Sequence, residues 1–178
     1  MSLRAGLALM IEVKVPYYPG DLGKAYNLCM ETAKEWVLFL DDDVYLRTQP
    51  LWFNICMKAI EKGKNAGLFV CMTNRIGCGV QRCRDAPQCD DLDAHIEYAG
   101  KRYEQFGNHL QPIPTVSPSG FFMLTHKSVW ESVKFTSGFL GVDNRFAGRV
   151  KLAGYAVYLI EGLYLYHGYR REWKVPIK

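Results

Sequence analysis

Two apolar runs constrain this chain more than anything else in it. Residues 37–40 read VLFL and residues 66–73 read AGLFVCMT, and neither run alternates with polar side chains. A strand that is apolar at successive positions is buried on both faces, as happens inside a sheet covered by helices on each side. The stretches before each run have helical periodicity. Asp21 can cap a helix over 22–35 with Ala25, Leu28, Cys29 and Ala33 roughly on one face. A second helix follows Pro50, carries Leu51, Ile55, Cys56, Ala59 and Ile60 toward a core, and ends at Gly63. Ahead of both, LMIEVKVPYY at 9–18 alternates like a strand. This β-α-β-α-β order predicts an α/β fold with a mostly parallel central sheet flanked by helices, in a single domain spanning 1–178.

The rhythm then breaks. Residues 77–93 read as a polar, cysteine-bearing loop, longer than most connections in compact domains. A helix with Ile96, Ala99, Tyr103 and Phe106 follows and closes at Gly107-Asn108. PIPTVSPSGFFMLTH supplies one or two strands, KSVWESV a short helix, and DNRFAGRVKLAG another that Gly154 ends. YAVYLIEGLYLYH is strand-like and interrupted at Gly162.

Charge excludes some function classes. The formal net charge is +4 and the basic residues are scattered, so no nucleic-acid footprint is expected. No apolar run reaches the roughly 20 residues of a membrane helix. The first ten residues are too weakly apolar for a signal peptide, so a cytoplasmic location is expected. Of six cysteines, Cys29 and Cys56 fall on apolar helical faces. Cys71, Cys78, Cys83 and Cys89 cluster in the loop region without a C-x-x-C pair, which reads as free thiols rather than a zinc site.

The feature richest in chemistry is Asp41-Asp42-Asp43, directly after VLFL. Ligands of open α/β sheets bind outside the carboxyl ends of the strands. Three adjacent carboxylates repel one another unless a cation or donors compensate. A hard divalent ion such as Mg²⁺ or Mn²⁺ takes oxygen ligands and can bridge to a diphosphate. The plainer alternative is a charged turn in which an aspartate caps a helix.

GKAYNLCMETAKEWVLFLDDDVYL resembles the G-x-A-x-N helix and the hydrophobic-Asp-x-Asp strand end of family 2 glycosyltransferases, nucleotide-sugar-dependent enzymes of GT-A fold. SGFFMLTHKSVWESVKF resembles the strand and helix behind that family's acceptor site, and GFLGVDNRFAGRVKLAGYAVYLIEGLYLYHGYR its Glu-Asp region and following strand. The likeness covers most of 23–171 and is nearest to the small glycosyltransferase-like proteins of phages and bacteria. It implies that Asp41 and Asp43 are the outer residues of Asp-x-Asp, with Asp43 holding the cation, and that Asp42 lies beside the donor. It also implies that Asp143 is the general base that takes the proton from an acceptor hydroxyl. Val142 stands where the family has glutamate. His167, at the end of the last strand, matches a metal-binding histidine of related enzymes, although a satisfied histidine at a strand end reads equally well. Arg170, with Tyr169 and Arg171, can meet phosphate through its fixed fork of donors. Arg75, after Asn74, and Ser119-Gly120 line the expected site or form turns.

The resemblance implies a metal-dependent glycosyltransferase. It would move a sugar from a UDP- or GDP-sugar to a saccharide or other hydroxyl acceptor, with inversion, using Mn²⁺ or Mg²⁺. One departure stands out. Only residues 1–22 precede the G-x-A-x-N helix, where the family has a strand-helix-strand that supplies aspartates to the nucleobase and ribose. The alternative is therefore a non-catalytic sugar- or nucleotide-binding module on a degenerate GT-A scaffold. A nucleotidyltransferase-like enzyme is a third reading, but the Gly-rich phosphate loop it needs near the first strand is absent from the sequence.

Overall fold

The computed structural model describes residues 10–168. Seven strands and five α-helices follow one another as β1 (Ile11–Lys14), α1 (Leu22–Thr32), β2 (Trp36–Leu40), β3 (Val44–Tyr45), α2 (Trp52–Lys62), β4 (Ala66–Thr73), α3 (Leu92–Phe106), β5 (Leu110–Pro112), β6 (Phe122–His126), α4 (Lys127–Val133), α5 (Val142–Leu152) and β7 (Ala156–His167). The sheet order is β1-β2-β6-β4-β7-β3, and β5 pairs with β7.

The two apolar runs are internal strands, and their side chains divide between two cores. Val37 and Phe39 of β2 and Leu68, Val70 and Met72 of β4 pack on one face with Tyr26 and Met30 of α1, Trp130 of α4 and Phe146 of α5. Leu38 and Leu40, with Phe69 and Cys71, pack on the other with Ile55, Cys56 and Ala59 of α2. Successive strand side chains point to opposite faces, so each face needs its own apolar set.

The sheet is mixed, not mostly parallel. β1–β2 and β4–β7 are parallel, while β2–β6, β4–β6, β3–β7 and β5–β7 are antiparallel. The reversal comes from the segment 113–121, which is not helical. It leaves β5 beside Val157, then passes down α5 from Lys151, whose ammonium donates to the Val116 carbonyl. Asn144 Nδ2 donates to the Pro118 carbonyl at 2.9 Å. The chain is thus delivered to the carboxyl end of β2 and β4, and β6 can enter only in the opposite direction.

Several boundaries also differ from expectation. The helix expected over 22–35 stops at Thr32, where Ala33 turns extended and the Lys34 amide donates to the Glu12 carboxylate at 2.9 Å. Among the described residues, only Ile11–Lys14 of the first expected strand is paired. Gly63 caps α2 in an ordinary backbone conformation (φ −71°), and a Cβ there would lie 2.5 Å from the Phe69 ring. Gly162 does not interrupt β7, which runs unbroken from Ala156 to His167; it marks a bulge instead. A Cβ on it would stand 2.0 Å from the Gly107 carbonyl oxygen, and the β4–β7 register jumps from Cys71↔Ile160 to Met72↔Tyr164.

Candidate metal and acid-base site

The candidate metal and acid-base residues gather at the carboxyl end of β2, β4 and β7. β2 ends at Leu40, so Asp41 emerges at the rim, and the Asp41 amide donates to the Phe121 carbonyl at 3.1 Å. β3 then pairs Val44 with His167, which returns Asp43 to the end of β7. The Gly168 amide donates to the Asp43 carbonyl at 2.9 Å. Donor atoms of Asp41, Asp43 and His167 all lie within 4.8 Å of one another. His167 Nε2 is 3.0 Å from Asp43 Oδ1 and 3.9 Å from Asp41 Oδ2.

The orientation of His167 decides what this cluster accepts. Its ring is 2% exposed and stacks on Phe121, with centroids 5.2 Å apart. Nδ1 is 2.9 Å from the Arg75 carbonyl, an acceptor, so Nδ1 carries the proton. In the neutral ring Nε2 then presents a lone pair to two carboxylates. That arrangement is repulsive unless a proton or a cation lies between them. A carbonyl that fixes the far nitrogen of a histidine is a usual support for a metal ligand. The donor set, one imidazole and two carboxylates, thus fits a divalent cation. Burial pushes the Asp41 carboxyl up to about 6; His167 opposes the rise, and the charges of Asp43, Asp143 and Asp42 add to it.

Asp143 lies in the first turn of α5, and its Oδ2 accepts from the Gly120 amide at 2.6 Å. A Cβ at Gly120 would come within 2.5 Å of Asp143 Cβ. Gly120 therefore makes room for the Asp143 carboxyl itself. Gly120 and Phe121 join the two parts of the site: one holds Asp143, the other holds Asp41 and stacks on His167.

The remaining expected residues divide. Arg75 contributes its carbonyl to His167 and its side chain to an adjoining cavity. Ser119 is present through its backbone, held at both ends by Gln81: its amide donates to Oε1 at 2.7 Å and its carbonyl accepts from Nε2 at 3.2 Å. Asp42 does not join the cluster. It is exposed at the tip of the turn between β2 and β3, because residues on either side of it in the chain face His167. Arg170, Tyr169 and Arg171 lie outside the described residues. Val142 is fully buried in the core, so a side chain at that position faces away from the rim. The four loop-region cysteines do not converge: Cys71 and Cys83 belong to cores on opposite faces of the sheet, and among the described residues Asp41, Asp43 and His167 are the one set with metal-ligand spacing.

Three further residues support the site; Gln81 carries no sequence signal, whereas Asn74 follows a strand end and Asn27 belongs to the G-x-A-x-N motif. Gln81 is fully buried in a polar loop. Asn74 Oδ1 accepts from the His167 amide at 2.9 Å and the Thr73 hydroxyl at 3.0 Å. Asn27, in the G-x-A-x-N helix, accepts from Trp130 Nε1 at 2.7 Å and the Phe135 amide at 3.0 Å. A Cβ at Gly23 would lie 1.9 Å from the Thr136 carbonyl oxygen, and the Asp21 cap also holds Ser137 and Gly138. This part of the motif fastens α1 to the segment that leads into Asp143. Comparison with protein-family models and with curated proteins found no match. Among the described residues no helix is long and apolar enough to cross a membrane.

Proposed function

We propose that the protein is a metal-dependent glycosyltransferase of GT-A-like fold that passes a sugar from a UDP- or GDP-sugar to an acceptor hydroxyl with inversion. The observation that carries this reading is the meeting of the Asp41–Asp43–His167 cluster with Asp143 at two adjacent residues, Gly120 and Phe121. Asp41, Asp43 and His167 would hold Mn²⁺ or Mg²⁺. Bound there, the ion supplies positive charge against a departing diphosphate.

The chain's own residues do the rest. Asp143 accepts the acceptor's proton through a carboxylate oxygen. The Gly120 amide fixes that carboxyl in place, so less orientation is lost at the moment of transfer. The Phe121 ring covers one side of His167 and keeps water from it. Asp42, exposed at the turn, is left to meet the donor from outside the cluster.

The test is thermal melting with UDP- and GDP-sugars and Mn²⁺, followed by a glycosyl-transfer assay. A rise of melting temperature that requires both ion and nucleotide sugar, and that Asp43→Ala removes, is the expected outcome. No rise with any nucleotide sugar would sink the reading. A rise without transfer to any acceptor would favour the non-catalytic binding module, for which the buried Val142 speaks, since it leaves Asp143 as the one carboxylate of its motif.

A further inference from the structure

The loop after β4 is built, not slack. Cys83 donates its amide to the Thr73 carbonyl at 2.8 Å, and Thr73 forms a parallel bridge with Arg82. The Cys83 and Ala86 side chains are each 3% exposed and sit in the core. Extended backbone sends alternate side chains to opposite sides. With Cys83 anchored inward, Arg82 and Arg84 both turn outward, beside Arg75. These three arginines, with Asn74 and Gln88, line a half-open cavity of about 470 Å³.

Two features of that cavity ask for a ligand. Among the described residues, none of the three guanidinium groups makes an ion pair. The nearest acid in the loop, Asp85, accepts from the Tyr98 hydroxyl at 2.8 Å. Asn74 is 3% exposed, and its Nδ2 has no hydrogen-bond partner among the described residues, although its Oδ1 is used twice. A buried amide donor without an acceptor is costly, and three guanidinium groups on one wall favour an anion between them.

We propose that this cavity binds a phosphate monoester, with the arginine forks and the Asn74 amide as donors. It is distinct from the carboxylate cluster but joined to it: Asn74 and Arg75 are the two residues that hold the His167 backbone and ring. Resting on the proposed transfer reaction, the inference names the acceptor as a phosphorylated compound. Its phosphate lies in the arginine cavity while its hydroxyl faces Asp143.

The experiment is calorimetric titration of metal-free protein, in chelator and 150 mM salt, with inorganic phosphate and separately with acetate. Saturable phosphate binding is expected, with acetate at least about tenfold weaker. The Arg82→Ala/Arg84→Ala double variant should bind phosphate at least about tenfold more weakly at an unchanged melting temperature, since both side chains are exposed. Lys58→Ala, a charge removed from the exposed side of α2, should change nothing. Asp43→Ala should bind phosphate as well as or better than the parent; with that result, a failed nucleotide-sugar test would overturn the transfer reading alone. Absent saturation, equal binding of acetate, or binding unmoved by the double variant would overturn the phosphate site.

Discussion

The molecule buries two histidines at nearly the same depth and uses them in opposite ways. His95, on α3, is fully buried, and both ring nitrogens meet ordinary partners: Nδ1 the Tyr164 hydroxyl at 2.7 Å, Nε2 the Cys89 carbonyl at 3.0 Å. A neutral ring satisfies that environment, accepting at Nδ1 and donating at Nε2. His167 meets a carbonyl at Nδ1, but two carboxylates face its Nε2. One ring is closed within the protein; the other turns a nitrogen toward two acids, an arrangement that needs a proton or a cation between them. Burial and residue type are shared, so neither marks a ligand. The chemistry of the second nitrogen's surroundings does.

The largest expected effect follows from that contrast. His167→Ala should weaken Mn²⁺ binding, read by calorimetry, at least about 100-fold, or roughly 2.7 kcal/mol. His95→Ala should leave the ion's affinity unchanged and instead lower unfolding free energy by about 2 kcal/mol, because a buried hydroxyl and carbonyl lose their partner. If both variants lost the ion equally, the distinction between the rings would fall. Next in size, Gly120→Ala should cut turnover about tenfold by displacing Asp143, with nucleotide-sugar affinity changed less, as a kcat-against-KM split reads directly.

The smallest effect is on pH. Asp41 titrates at about 6 in the folded chain against an ordinary 3.8. A carboxyl raised by folding binds its proton more tightly in the folded state. Its contribution to stability is therefore full below the ordinary value and lost as pH rises through about 6. Metal-free protein should lose stability over that window in urea unfolding, and saturating Mn²⁺ should reverse the trend, since the ion favours the ionised acids. A metal-free profile that is flat between pH 4 and 7 would remove the strain assigned to the cluster.

The parts legible in the sequence were those written in local pattern. VLFL and AGLFVCMT named the internal strands because double burial removes alternation. The acidic trio was legible because strand ends lie where ligands bind; Asp41, Asp43 and His167 were singled out by the resemblance, and a satisfied histidine read equally well at 167. The direction of β6 was not, since it depends on a helix-free segment following α5, a contact between distant parts of the chain. Gln81 was hidden for a related reason: its amide is explained only by backbone partners brought in by the fold. The supporting roles of Asn74 and Asn27, though both positions were visible, also depend on distant partners. Asp42 looked equivalent to its neighbours in the string of letters, and only the turn between β2 and β3 separates it from them.

The Gly120–Phe121 link has a mechanical meaning beyond its place in the site. The Gly120 amide holds the carboxyl that would draw off a proton, and the carbonyl of the next residue, Phe121, holds Asp41 at the rim that would hold the ion. Two neighbouring residues thus carry both grips, so a shift of the backbone there would be felt by donor and acceptor chemistry together.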